Sequence, residues 1–319
     1  MVNIQERASS GFCQRPVDIS ASVGSVRLKN PIMPASGTFG FGVEAARLYD
    51  INRLGGAVMK GVTVQPRLGN PLPRVTDCPS GMLNAVGLEN PGVDRVLRDA
   101  LPALADIYDG PIVANICGFT IDEYAELAAR FDESDLIAAL EINVSCPNVS
   151  HGGMTFGTDA RAAGDVTRAV KRAAKKPVWV KLSPNVTDVA EIARACEAEG
   201  ADALTLINTL LGMRIDLRSR RPVLGNTFGG LSGPCVLPIA LRMVWQAYEA
   251  VKIPIVGMGG ISSARDAVEM TLAGASAVQV GTAGLVEPSA LVDIADALPD
   301  IIAGMGLDSY GALVGAAHG

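Results

Sequence analysis

Eight short aliphatic runs recur along the chain with helix-patterned segments between them, and this alternation restricts the fold more than any other feature. The runs are Pro31–Ser36, Ala57–Val62, Pro111–Ile116, Ala139–Ser145, Pro177–Ser183, Ala203–Asn208, Ile253–Met258 and Ala277–Gly281. Strands that alternate with helices pair in parallel through right-handed crossovers. Hydrophobic residues make up 49% of the chain and aromatics only 4%, so the core is aliphatic, which suits a parallel sheet covered by helices. Eight units favour closure into an α/β fold of the (β/α)8 TIM barrel type, which takes roughly 250 residues. An open doubly wound sheet is the alternative. Boundary signals punctuate the helices: Thr120 and Glu123 form a capping box, Asp188 with Glu191 opens a helix that Gly200 closes, and Ser262 or Ser263 caps one ending near Gly274.

Residues 1–16 are polar and irregular and read as a loose arm, leaving 17–319 as a single domain. Val17–Leu28 reads as a hairpin with Gly24 at its turn, placed to plug the barrel floor. Two connections, Thr63–Asn90 and Leu210–Pro238, are long and without strand or helix pattern. Both leave the carboxyl ends of strands, where barrel enzymes keep their sites, and long connections of this kind serve as lids or binding loops. The stretch after Met305 reads as a last helix or a frayed tail.

The net charge of −6 gives no electrostatic reason to expect nucleic acid or an anionic membrane as partner. The basic run Arg168–Lys176 has helical spacing and reads as a solvated helix face. Arg214, Arg218, Arg220 and Arg221 cluster in a loop, open either to solvent or to an anion or protein contact. With no secretory signal and no apolar stretch near 18 residues, the expectation is a cytoplasmic protein with reduced thiols. Its six cysteines (Cys13, Cys78, Cys117, Cys146, Cys196 and Cys235) lack the spacing of a zinc or iron–sulfur site, so no metal is expected on this chain.

A barrel demands that functional side chains collect where strands end, and polar residues do recur there. Ser36 ends the first run, Lys60 lies in the second, Asn115 in the third, Asn143 and Cys146 at the fourth, Lys181 in the fifth, Asn208 and Thr209 at the sixth. Lysine in an apolar strand is costly unless it faces a partner, so Lys60 and Lys181 point to an anionic or polar ligand. Gly257, Gly259, Gly260, Gly281 and Thr282 follow the last two runs and can offer backbone N–H groups to a phosphate, although turns also use glycine. Cys146 sits between the amides Asn143 and Asn148, after Pro147 breaks the strand ladder. The residues alone leave it either a reactive thiol or a buried structural cysteine. Phosphate, amides and two lysines around a thiol suggest flavin chemistry.

Several segments match a known family together. They are Asn-Pro-Ile-Met-Pro-Ala-Ser-Gly-Thr-Phe-Gly-Phe-Gly (30–42), Gly-Asn-Pro-Leu-Pro-Arg (69–74), Ser-Gly-Met-Leu-Asn-Ala-Val-Gly-Leu-Glu-Asn-Pro-Gly (80–92) and Asn-Val-Ser-Cys-Pro-Asn-Val-Ser-His-Gly-Gly (143–153). Val-Lys-Leu-Ser-Pro-Asn-Val-Thr-Asp (180–188), Ile-Asn-Thr (207–209), Gly-Gly-Leu-Ser-Gly-Pro (229–234), Met-Gly-Gly-Ile (258–261) and Val-Gly-Thr-Ala (280–283) extend the match over essentially the full length. The chain thus resembles the class 1 dihydroorotate dehydrogenases, in particular the NAD-linked 1B type.

The resemblance implies an FMN enzyme of pyrimidine synthesis that oxidises dihydroorotate to orotate, with Cys146 as the general base. It implies substrate contacts at Lys60, Asn84, Ala85, Val86, Gly87, Leu88, Asn143, Asn208 and Thr209. It implies flavin contacts at Ser36, Lys60, Gly61, Asn115, Asn143, Lys181, Ile207, Gly233, Gly259, Gly260, Gly281 and Thr282. His151 falls in the loop after the cysteine as a lid residue. Class 2 relatives carry serine at the base position and a membrane-associating extension, so the cysteine and the short polar arm disfavour a membrane quinone. The 1B type implies a homodimer joined by a second subunit carrying FAD and an iron–sulfur cluster, in a heterotetramer that passes electrons to NAD. Two alternatives remain at this stage: a class 1A-like homodimer reducing fumarate, and a non-redox barrel that binds a phosphorylated ligand.

Overall fold

The computed structural model of the chain describes residues 17–144 and 156–319. Its eight-stranded parallel sheet comprises β1 (Ile32–Pro34), β2 (Ala57–Val58), β3 (Ile112–Ile116), β4 (Ile137–Asn143), β5 (Val178–Lys181), β6 (Ala203–Leu206), β7 (Ile255–Met258) and β8 (Ala275–Val280). The strands pair in the order β1-β8-β7-β6-β5-β4-β3-β2. The two end strands meet through the lead into β2, where Gly55 N donates to Ile32 O at 2.9 Å, so the barrel is nearly closed. Every run expected from the sequence contributes one barrel strand. The open doubly wound alternative is excluded by that neighbouring of first and second strands.

Residues two apart on a strand share a face, and this period sets the layers of the barrel interior. At the floor, Val58, Val113, Ala139, Trp179, Ala203, Val256 and Ala277 form one buried cluster with Met33. Val23, Val26 and Leu28 belong to the same cluster. They come from the antiparallel hairpin Ala21–Val23/Val26–Leu28, turned by Gly24, so the hairpin does plug the floor. Two residues further along the strands, the interior turns polar: Asn115, Glu141, Lys181, Thr205 and Gln279 are all buried. Outward-facing aliphatics pack instead against the surrounding helices in the main core.

Local signals start the helices as the sequence indicates. Thr120 Oγ1 accepts from Glu123 N ahead of Ile121–Asp132, and Asp188 caps Val189–Ala198 through Ala190 N and Glu191 N. Of the two candidate serines, Ser263 caps Ala264–Leu272. The basic helix Ala160–Ala173 departs from a purely solvated face: Lys171 Nζ reaches Asp202 at 2.6 Å and Arg168 Nε reaches Glu199 at 3.4 Å, tying it to the next unit. The tail after Met305 is neither a long helix nor frayed. It forms two short 3-10 turns, with Tyr310 and Leu313 buried and His318 stacked on Trp245 at 3.6 Å between ring centroids.

The two long connections also depart from expectation. Val75–Cys78 pairs with Gly81–Asn84 inside the first and Leu210–Gly212 with Gly229–Ser232 inside the second, and Gly81–Asn84 pairs with Gly229–Ser232 to join them in one four-stranded antiparallel sheet. Neither connection shows the joined sheet alone, because the pairing that unites them links Gly81–Asn84 to Gly229–Ser232, well over a hundred residues away in the chain. No helix among the described residues is long and apolar enough to cross a membrane.

Burial pushes the Cys196 thiol from 9.0 up to about 12 and the Tyr49 phenol from 10.0 up to about 12. The native chain keeps protons that the unfolded chain releases, so the stability these groups contribute is whole below about pH 9 and is lost as pH rises toward the folded values. The urea midpoint should therefore fall between about pH 8 and about pH 10, and less so in Cys196→Ala. Identical pH slopes in both proteins would contradict the assignment to Cys196.

Candidate active site at the barrel mouth

One cavity of about 330 Å³ opens at the carboxyl ends of the strands, within the size range of small-molecule sites. Its walls include Ser36, Lys60, Gly61, Asn115, Asn143, Lys181, Ile207, Asn208 and Thr209 from the barrel, with Gly259, Gly260, Gly281 and Thr282 after β7 and β8. The lid sheet adds Asn84, and Val86, Gly87, Leu88 and Gly233 come from the adjoining loops. Residues scattered along the chain from Ser36 to Thr282 thus meet because each lies at or just past a strand end.

Ala85 is the exception among the expected contacts that the structure describes. Its side chain is buried with Leu83 and Leu224 inside the lid, its N–H donates to Arg74 O at 2.7 Å, and its carbonyl accepts from Asn70 Nδ2 at 3.1 Å. Cys146, His151 and the 1–16 arm lie outside the described residues. Asn143, the last residue of β4, faces the cavity where the chain enters the Cys146 segment.

The amides are held in place. Asn208 Nδ2 donates to Asn143 Oδ1 at 3.2 Å, and Tyr124 OH donates to the Asn143 carbonyl at 2.7 Å. Asn84 Nδ2 donates to Gly230 O at 3.4 Å within the lid sheet, and Thr282 Oγ1 donates to Ser232 Oγ at 2.8 Å. Lys181 is 3% exposed; its Nζ donates to Ser36 Oγ at 2.9 Å and lies 3.9 Å from Glu141 Oε1. Lys60 also lines the cavity and is part-exposed, its backbone N–H bonded to Gly40 O.

Sequence reasoning missed Glu141 and Gln279 in the polar layer below, and Met82 and Ser232 on the lid side. The first two carried a usable signal. A carboxylate in Leu-Glu-Ile and an amide in Val-Gln-Val break apolar strands as the lysines do, and the same cost argument applies to them. Met82 and Ser232 carried none, because only the cross-pairing of the two insertions brings them to the mouth.

A phosphate-bearing planar cofactor fits this donor set. Gly281 precedes the short helix Thr282–Val286, whose first N–H groups have no carbonyl within the helix. Gly260 has φ +80°, and a Cβ there would stand 2.5 Å from Leu237 N, so the backbone runs against the next segment with no room for a side chain. Gly260→Ala is expected to destabilise the fold by about 1–3 kcal/mol through strain and displacement, read by urea unfolding. A change within measurement error would show that the loop relaxes freely. Deeper in, the fully buried Gln279 belongs to the cavity lining, and its Oε1 has no hydrogen-bond partner among the described residues.

The fold and site define a class first: a (β/α)8 barrel whose mouth carries two strand-borne lysines, a set of amides and the glycines that follow its last two strands. Within that class, the chain belongs to the dihydroorotate dehydrogenase family, whose model matches residues 19–302. It is 55% identical over 302 residues to dihydroorotate dehydrogenase B (NAD(+)), catalytic subunit, of Desulforamulus reducens, covering 95% of this chain and 99% of the relative. It is 52% identical over 301 residues to the protein of that name from Trichlorobacter lovleyi, covering 94% and 99% respectively. It is 53% identical over 299 residues to that from Parabacteroides distasonis, covering 94% and 98%. Membership makes this an oxidoreductase with a flavin cofactor. Neither the fumarate-reducing homodimer nor the non-redox barrel is favoured by these matches.

Proposed function

We propose that the chain is the FMN-bearing catalytic subunit that oxidises dihydroorotate to orotate in pyrimidine synthesis and sends the electrons to NAD through a separate subunit. The observation that carries this reading is the convergence of Lys60, Lys181, Asn84, Asn143, Asn208 and Thr209 on one cavity in a member of this family. Dihydroorotate presents ring amides and a carboxylate, which these amides, the hydroxyl and Lys60 are suited to bind. Once bound, the flavin supplies a two-electron hydride acceptor. Lys60 and Lys181 put positive charge where that acceptor gains negative charge, and Ser36 and Asn115 orient the groups around it. Cys146, as thiolate, takes the proton from C5 while the hydride leaves C6, forming the C5=C6 double bond. A thiol can do this only where its surroundings bring it near working pH. Cavity residues around the reacting carbons exclude water from that exchange.

In this reading the FAD and the iron–sulfur centre belong to the separate subunit. A heterotetramer built on a homodimer of this chain, in the cytoplasm, completes the proposal. The test is the visible flavin spectrum of the purified chain during anaerobic addition of dihydroorotate, followed by NAD reduction with and without a co-expressed partner. Bleaching of the band near 450 nm, with NAD reduction only when the partner is present, is the expected result. A colourless chain that takes up no FMN overturns the cofactor, and efficient fumarate reduction by the lone chain overturns the acceptor.

A further inference from the structure

Under the cavity lies a carboxylate to which the proposed chemistry gives no part. Glu141 is fully buried in the middle of β4. Its Oε1 accepts from Asn115 Nδ2 at 2.6 Å and its Oε2 from Gln279 Nε2 at 2.7 Å, while Lys181 Nζ stands 3.9 Å from Oε1. Burying a charge among apolar strands is costly, and hydrophobic residues of similar volume would often serve stability as well. Something other than packing calls for a carboxylate here.

Its effect on the two amides supplies the reason. A carboxylate only accepts, so each neighbouring amide must turn its NH2 toward it and its carbonyl oxygen away. For Asn115 the carbonyl faces upward: Oδ1 accepts from Cys117 Sγ at 3.5 Å and would stand 2.9 Å from a Cβ on Gly61, a cavity residue. For Gln279, a residue of the cavity lining, the carbonyl oxygen is left as a buried acceptor with no donor among the described residues. A buried polar atom without a partner is rare and calls for a ligand group.

We propose that Glu141 is a positioning residue for the flavin: by accepting both amide NH2 groups it aims Gln279 Oε1 into the cavity as the acceptor for a ring N–H, and it balances the charge of Lys181. This rests on the FMN reading above. With the carboxylate in place the wall offers an acceptor at Gln279 and a cation at Lys181, matched in charge by an anion one layer below.

Glu141→Gln keeps the shape and removes the charge. Its NH2 takes the place of one accepting oxygen and faces an amide NH2, so one of the two amides must turn or lose its bond. The refolded apo-chain titrated with FMN should bind about 10- to 100-fold more weakly, the change that one or two unmade buried hydrogen bonds carry. The uncompensated Lys181 charge should favour the anionic reduced ring by about tenfold, which for a two-electron couple raises the midpoint potential by about 30 mV. The swap variant Glu141→Gln/Gln279→Glu restores one carboxylate to the same layer and should return the potential toward wild type. A purely structural role would lower thermal stability and leave the potential where it was.

E141Q protein whose FMN affinity stays within twofold of wild type, and whose midpoint potential stays within about 10 mV of it, overturns the assignment while leaving the FMN reading intact. Wild-type chain that binds no FMN overturns that reading and this inference together. Should E141Q not fold, the swap decides. Folded swap protein that binds FMN within tenfold of wild type supports the positioning role, and folded swap protein that binds more weakly than that ends it.

Discussion

Replacing Cys146 with alanine is expected to leave FMN bound and to slow flavin reduction by dihydroorotate about 10²- to 10⁴-fold, the usual contribution of a general base. The cofactor survives because the cavity residues that would seat it, from Ser36 to Thr282, come from other strand ends. Stopped-flow reduction under anaerobic conditions reads the rate directly. An unchanged rate would remove the thiol from the chemistry and return it to the structural role that its residue type alone allows. Cys146→Ser should recover activity only at raised pH, since a hydroxyl is the poorer base. A flat pH profile for that variant would speak against proton removal at this position.

The second large effect is expected at Lys181. Lys181→Met keeps the chain length and apolar stem but leaves the Glu141 carboxylate buried without its cation. Breaking a buried pair from one side typically costs about 3–5 kcal/mol. The two amide bonds that Glu141 retains should hold the loss to the lower part of that range. Flavin content should fall with it, because Lys181 donates to Ser36 and both line the cavity. Urea unfolding of K181M, E141Q and the double variant measures the coupling. The double variant should be more stable than the sum of the single losses implies, since it leaves no unmatched charge. Strict additivity would show that the two groups do not sense each other.

Much of this architecture could be read before any coordinates. Strand periodicity needs only neighbouring residues, so all eight barrel strands, the floor hairpin and the helix caps at Thr120, Asp188 and one of Ser262 and Ser263 were visible. The barrel reading then placed site residues by a simple rule, that polar groups at strand ends face one mouth. Of the expected contacts within the described residues, Ala85 alone turns its side chain into the lid instead.

What could not be read was set by pairings between distant segments. The lid sheet exists because Gly81–Asn84 finds Gly229–Ser232, and no local pattern encodes that register. The ends of the basic helix, expected in water, bond to Asp202 and Glu199 of the following unit. The tail is held by contacts of Tyr310 with Thr271 and of His318 with Trp245. Side-chain direction inside the barrel is of the same kind.

The amino-acid sequence by itself determined the parallel alternation of strand and helix, the closed eightfold barrel and the family, because these rest on local periodicity and on residue identity at given spacings. Only the tertiary structure decided that a buried carboxylate joins Asn115, Lys181 and Gln279 below the cavity floor, and that two insertions cover its mouth. The physical reason is that hydrogen bonds and charge balance act between atoms a few ångströms apart, whatever their separation along the chain.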